Sequence, residues 1–142
     1  MGEMRAILEE RIQAWLDDDD SAVEYAEQVE GRWAVRVRQE TRDATTIWFT
    51  IGERSLWYEA YMFPVGDGSS VVFRQALVRN SRSWRVFFAL DSEGGLVLRG
   101  RLPAGLVTMA ELDFVLGEVY ETVEIAFRPM LRSLLEEREK SS

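Results

Sequence analysis

The sequence contains no cysteine and no histidine, and its one lysine, Lys140, stands close to the end of 142 residues. These absences exclude a great deal of chemistry. No disulfide, thiolate nucleophile, Cys/His zinc centre, imidazole base or Ser-His-Asp triad can be built from this chain. Lys140 supplies neither a phosphate-loop cation nor a buried Schiff-base amine. No uncharged apolar run reaches the ~18 residues that a membrane-crossing helix needs. Residues 1–20 carry charge throughout and lack the apolar centre of a secretory leader, so the expected location is cytoplasmic.

What is present suits one globular domain over residues 1–142. The chain is 46% hydrophobic and 30% charged, with five Trp, four Tyr and seven Phe to fill a core. Net charge is −8, unevenly spread. Residues 1–30 set ten acids against Arg5 and Arg11, residues 31–73 are balanced, residues 74–101 set six arginines against Asp91 and Glu93, and residues 102–142 are acidic again. Affinity for phosphate backbones comes from cationic surface, so nucleic acid is not the favoured partner.

Periodicity gives the elements. Met4, Leu8, Ile12 and Trp15 recur at helical spacing over Glu3–Leu16, and the four aspartates that follow oppose the helix dipole and end it. Arg32–Arg38 and Thr45–Ile51 alternate as strands, and Ser55–Phe63 is apolar on both parities, which makes a three-stranded meander. The run Pro64–Gly68 breaks it, and Ser69 or Ser70 caps a helix carrying Val72, Phe73, Ala76 and Leu77. Strands Trp84–Leu90 and Leu96–Leu102 flank the turn Asp91–Gly95. Thr108 and Glu111 form a capping box before a stripe from Leu112 to Phe127; Pro129 should kink or end that helix, with a frayed tail after about residue 136. The expected fold is therefore α+β, in the order α-β-β-β-α-β-β-α, with a mostly antiparallel five-stranded sheet and helices packed on one face.

The acidic clusters do not read as metal sites. Counted from Asp17, the glycine and glutamate positions of a calcium loop fall on Ala22 and Gln28, and counted from Asp91 the sixth position is Leu96. Glu59, between Trp57 and Tyr61 on one strand face, is the one carboxylate among aromatics, and an ion pair with an arginine across the strand is the expectation for it. No catalytic residue, cofactor or metal is expected.

The second face of the sheet is more informative. With Val35, Val37, Ile47, Phe49, Trp33, Trp84, Phe88 and Leu98 under the helices, the opposite parity presents Arg36, Arg38, Trp48, Trp57, Glu59, Tyr61, Phe63, Arg85, Phe87, Arg99 and Arg101. A solvated sheet face is normally Thr, Ser, Lys and Glu, whereas Trp, Tyr, Phe and Arg are enriched in binding interfaces. This set without Glu59 is the candidate partner or dimer face. An aromatic and arginine sheet also resembles a stacking platform for single-stranded RNA, a reading that the acidity of the chain disfavours.

Several segments resemble a known family. Gly31–Val37 and Thr46–Gly52 are similar to the opening strands of the YbjN-like family, Phe73–Asn80 to its second helix, and Phe88–Gly94 to its hairpin turn. Arg101–Pro103 and Leu112–Gly117 extend the likeness to roughly residues 20–130. The resemblance implies a bacterial sensory-transduction regulator with the fold of type III secretion chaperones, which are small, acidic, homodimeric, non-enzymatic proteins that hold extended segments of clients. A non-enzymatic, chaperone-like or regulatory homodimer that binds peptide segments of a partner protein is thus the leading expectation. The alternative is a small-molecule-sensing regulator with a pocket between helices and sheet.

Overall fold

The computed structural model describes residues 2–141. The elements run α1 (Gly2–Asp17), β1 (Val23–Val29), β2 (Arg32–Arg38), β3 (Ala44–Ile51), β4 (Ser55–Pro64), α2 (Ser70–Asn80), β5 (Phe87–Leu90), β6 (Gly95–Pro103), a short 3-10 turn (Ala104–Leu106) and α3 (Met109–Ser141). The sheet is antiparallel, in the order β1-β2-β3-β4-β6-β5. The α+β class stands, but the sheet has six strands and not five.

The additional strand is β1. Its Glu24, Glu27 and Gln28 dilute the alternation, and a register shift between Val23 and Tyr25 breaks the period of two. The turn into β2 is the signal that could have found it. Glu30 and Gly31 both take positive φ, at 51° and 82°, which is the two-residue hairpin geometry whose twist matches that of the flanking strands.

One face of the sheet lies under the helices. Met4, Leu8, Ile12 and Trp15 of α1 are all buried, as their spacing requires, and join Val35, Val37, Ile47, Phe49, Leu56 and Tyr58 in a single core. Trp15 packs its ring 6.5 Å from that of Phe49, and its indole N–H donates to Asp113 of α3 at 2.9 Å. The N-cap of α2 is Ser69, whose hydroxyl accepts from the amide of Val72. Leu77, placed by period on the core side of α2, is instead 70% exposed.

Helix α3 does not end at Pro129. The helix runs on through the proline to Ser141, and Met130 and Leu134 beyond it are buried in the protomer's own core. That apolar contact continues on both sides of the proline and offsets its missing N–H. The end of the chain is not a loose tail over the described residues. Ser69 donates to Glu137, and the Arg138 guanidinium lies 3.5 Å from the carbonyl of Val65.

The expected strand at Trp84 begins only at Phe87. The amides of Trp84, Arg85 and Val86 donate to the Glu118 carboxylate of α3, at 2.9, 2.6 and 2.6 Å, and so are not available to a sheet neighbour. Trp84 consequently lies outside the core, 81% exposed.

Candidate functional site: the open face of the sheet

Strand register places the outward residues in rows. Ala34, Trp48, Glu59, Arg99 and Phe87 face one another across β2, β3, β4, β6 and β5. Thr50, Trp57 and Arg101 form the next row, and Tyr61, Val97 and Ala89 another. Trp57, Tyr61 and Phe87 are each exposed by two fifths or more, and Trp48 is half-buried.

The arginines are ordered by what they meet. Arg99 donates through Nε and Nη2 to one oxygen of Glu59, at 3.0 and 2.6 Å, which is the cross-strand ion pair expected for that carboxylate. Arg36 pairs with Glu24 of β1 at 2.9 Å. Arg101 lies over the Trp57 ring, 4.9 Å from its centroid, and Arg32 lies over Trp48 at 4.4 Å. Both distances fall within the range of a cation–π contact. Trp48, Trp57, Thr50, Arg32, Glu59 and Arg99 line a shallow depression of about 380 Å³, together with Tyr58 and Tyr61.

Eight of the ten candidates therefore share this face or its margin: Arg36, Arg38, Trp48, Trp57, Tyr61, Phe87, Arg99 and Arg101. Two do not. Phe63 is only 4% exposed and meets Phe127 of α3 edge-on at 6.1 Å, because the register shift between Tyr61 and Phe63 turns it to the helix side. Arg85 precedes β5 and donates two hydrogen bonds to Glu111, at 2.7 and 2.8 Å, while covering the Phe114 ring at 4.5 Å. It belongs to the α3 margin. The Arg85 hydrogen bonds hold the Glu111 carboxyl below its ordinary range, and only the Thr108 half of the capping box forms, with its hydroxyl accepting from the Glu111 amide at 3.1 Å.

Arg32 is the residue that sequence reasoning missed. It shares the parity of Arg36 and Arg38 on the same strand, and that alternation was signal enough to include it.

The bulge at Met62 has its own support. Arg42 donates to the carbonyls of Tyr61 and Met62 at 2.7 and 2.8 Å, and lies over the Phe127 ring at 4.8 Å. Residues beyond Ala60 have no ladder partner on β3, so this guanidinium substitutes for a strand there. Burial pulls its pKa down.

A second surface lies on the opposite side of the molecule's edge strand β5. Phe73, Ala76 and Leu77 of α2 with Phe88, Leu90 and Leu96 of the hairpin line an apolar groove of about 290 Å³. Val78 and Leu90 are about half exposed beside it.

Among the described residues no three carboxylates converge to hold a metal ion, and no helix is long and apolar enough to cross a membrane.

This architecture is similar to that of chains from two solved protein complexes. A chain of the HopA1–SchA chaperone–effector complex superposes with a TM-score of 0.61 at 9% identity, covering 88% of this chain and 92% of that one. A chain of the heterodimeric ExoU–SpcU complex from the type III secretion system of Pseudomonas aeruginosa gives 0.53 at 20% identity, covering 67% and 81%. At such identities the likeness concerns the fold alone. The model of the YbjN family, described as "Putative bacterial sensory transduction regulator", matches residues 9–132, and the chain belongs to that family. It is 37% identical over 101 residues to the uncharacterized protein ML2442 of Mycobacterium leprae, covering 70% of this chain and 55% of that protein. It is 35% identical over 83 residues to the uncharacterized protein Rv0487 of Mycobacterium tuberculosis, covering 58% and 45%. The chain thus spans about half the length of these curated relatives.

Proposed function

We propose that the protein is a non-enzymatic, chaperone-like or regulatory module that holds an extended segment of a partner protein on the open face of its sheet and acts as a homodimer in the cytoplasm. One observation carries this reading: Trp48, Trp57 and Tyr61 stand on a sheet face that, among the described residues, no helix covers. Aromatic rings left in water at adjoining positions lose the burial that ordinarily stabilises them, and a partner segment restores it. The fold shared with chains of chaperone–effector complexes supports the same reading, as does membership of a family described as regulators. The dimer is supported by the apolar flank of α2 and β5, where Leu77, Val78 and Leu90 are exposed together.

The test is photocrosslinking from position 61 in the native host, comparing the natural chain with Trp48→Ser/Trp57→Ser. A discrete crosslinked partner segment that disappears in the double variant, at an unchanged melting temperature, supports the reading. Loss of folding in the double variant would place those rings in the core and remove it. Light scattering tests the dimer, which Leu77→Glu should reduce to a monomer.

The small-molecule alternative has a place in the α2–β5 groove, whose lining is almost wholly apolar. A metabolite that raises the melting temperature of the natural chain but not of Leu77→Glu would favour it.

A further inference from the structure

We infer that the segment held on the open face is acidic, and that Arg32 and Arg101 receive its carboxylates. The inference rests on the peptide-binding reading above and adds the chemistry of the occupant.

Four arginines of the open face fall into two kinds. Arg36 and Arg99 are neutralised within the chain, by Glu24 and Glu59. Arg32 and Arg101 have no carboxylate within ion-pair distance among the described residues, and instead lie on Trp48 and Trp57. A guanidinium lying over a ring face still has N–H donors to offer a planar two-oxygen acceptor. The stacking also fixes the side chain beforehand, so less rotamer freedom is lost when a carboxylate arrives. The two stacks are thus prepared donors with no acceptor supplied by the chain.

The two rings beneath these arginines are spaced to suit an extended peptide. Trp48 is in register with Glu59, and Trp57 is two residues before Glu59 on the same strand. The two tryptophans are therefore diagonal cross-strand neighbours, about 7–8 Å apart at the backbone. Side chains two residues apart on an extended chain project from one side at about 6.8 Å, given a rise of about 3.4 Å per residue. Alternate positions of a bound strand therefore match the spacing of the two rings on which the arginines lie.

Charge selects the same occupant. Glu59, the carboxylate at the centre of this face, is already held twice by Arg99, so a basic segment finds no free acid there without breaking that pair. The chain as a whole carries −8, with its acids concentrated in residues 1–30 and 102–142. An acidic segment is repelled by the net charge of the chain and attracted where Arg32 and Arg101 lack a carboxylate, which favours docking on this face.

The experiment uses the full chain and three labelled peptides of about ten residues with the centre Ser-Glu-Phe-Glu-Ser, Ser-Gln-Phe-Gln-Ser or Ser-Lys-Phe-Lys-Ser, followed by fluorescence anisotropy. The Glu peptide should bind about tenfold or more tighter than the Gln peptide, and the Lys peptide weakest. Arg32→Gln and Arg101→Gln should each bring the Glu peptide towards the Gln peptide without moving the melting temperature. Glu59→Gln frees Arg99 and should tighten Glu-peptide binding several-fold, a gain that a merely damaged fold cannot produce. Equal binding of the Glu and Gln peptides, or preference for Lys, would overturn the acidic assignment while leaving the peptide-binding reading intact if Trp48→Ser still abolishes binding. Binding of none of the three would overturn both. So would tighter binding of a thymidine oligonucleotide through the same two arginines, since the face would then be reading phosphates.

Discussion

The inner and outer faces of this sheet use aromatic residues from the same strands and treat them in opposite ways. On the inner face Phe49 and Tyr58 sit 6.3 Å apart, with Trp15 of α1 completing the stack, and the three are almost wholly buried. Burial pushes the Tyr58 hydroxyl up to about 12, with Glu118 adding to the shift, and the hydroxyl donates to the Arg85 carbonyl at 2.8 Å. On the outer face Trp48 and Trp57 meet guanidinium groups. A cation on each ring leaves the face wettable while keeping its aromatic area available. Phe49 and Tyr58 meet each other where water is excluded; Trp48 and Trp57 meet charge where water remains. The same residue types thereby serve stability on one side and recognition on the other.

Substitutions that respect or violate this division should differ sharply in effect. Phe49→Ala removes a fully buried ring from the centre of the core and should cost about 3–5 kcal/mol in denaturant unfolding. A loss below 1 kcal/mol would mean that the inner face is not the core. Arg42→Ala leaves the carbonyls of Tyr61 and Met62 without their donor and should cost about 3 kcal/mol, with the change in amide exchange confined to the bulge and its neighbours.

Acid should act through the helix side. Glu124 of α3 is subject to burial, which raises its pKa, but hydrogen bonds from the Glu40 and Thr41 amides and the Gln39 and Thr41 side chains prevail and leave it below the ordinary 4.5. A carboxyl depressed on folding contributes stability that is complete above its unfolded value and is lost as pH falls through the folded one. Melting temperature should therefore fall below about pH 4.5 in the natural chain, and Glu124→Gln should be less stable at neutral pH with a shallower acid limb. Identical acid limbs would sink this assignment. The smallest effect belongs to the outer face: Trp57→Ser should change stability by no more than about 1 kcal/mol. A larger loss would erase the distinction between the two faces.

The parts of the molecule legible in the sequence are those where one side chain meets one local rule. The α1 stripe, the Ser69 cap, the Asp91–Gly95 turn and the alternation of β2 and β3 all follow from spacing alone. What escaped depended on partners distant in the chain. Phe63 turns inward because a bulge intervenes, and that bulge is held by Arg42, about twenty residues away in sequence. Arg85 has the right parity for the open face, yet Glu111 and Phe114 of α3 draw it aside. Strand β1 carries too many acids to alternate cleanly, and Pro129 sits in a helix whose packing on both sides outweighs one missing hydrogen bond.

Glu118 unites these themes in a different quantity, the exchange of backbone hydrogens with solvent. The amides of Trp84, Arg85 and Val86 all end on this one carboxylate and not on a ladder of separate carbonyls. Independent hydrogen bonds open one at a time, but donors that share an acceptor are released by a single rotation of that side chain. The approach to β5 should therefore exchange as a unit of three amides with a common rate. That rate reports how often the Glu118 carboxylate releases the segment that leads into β5.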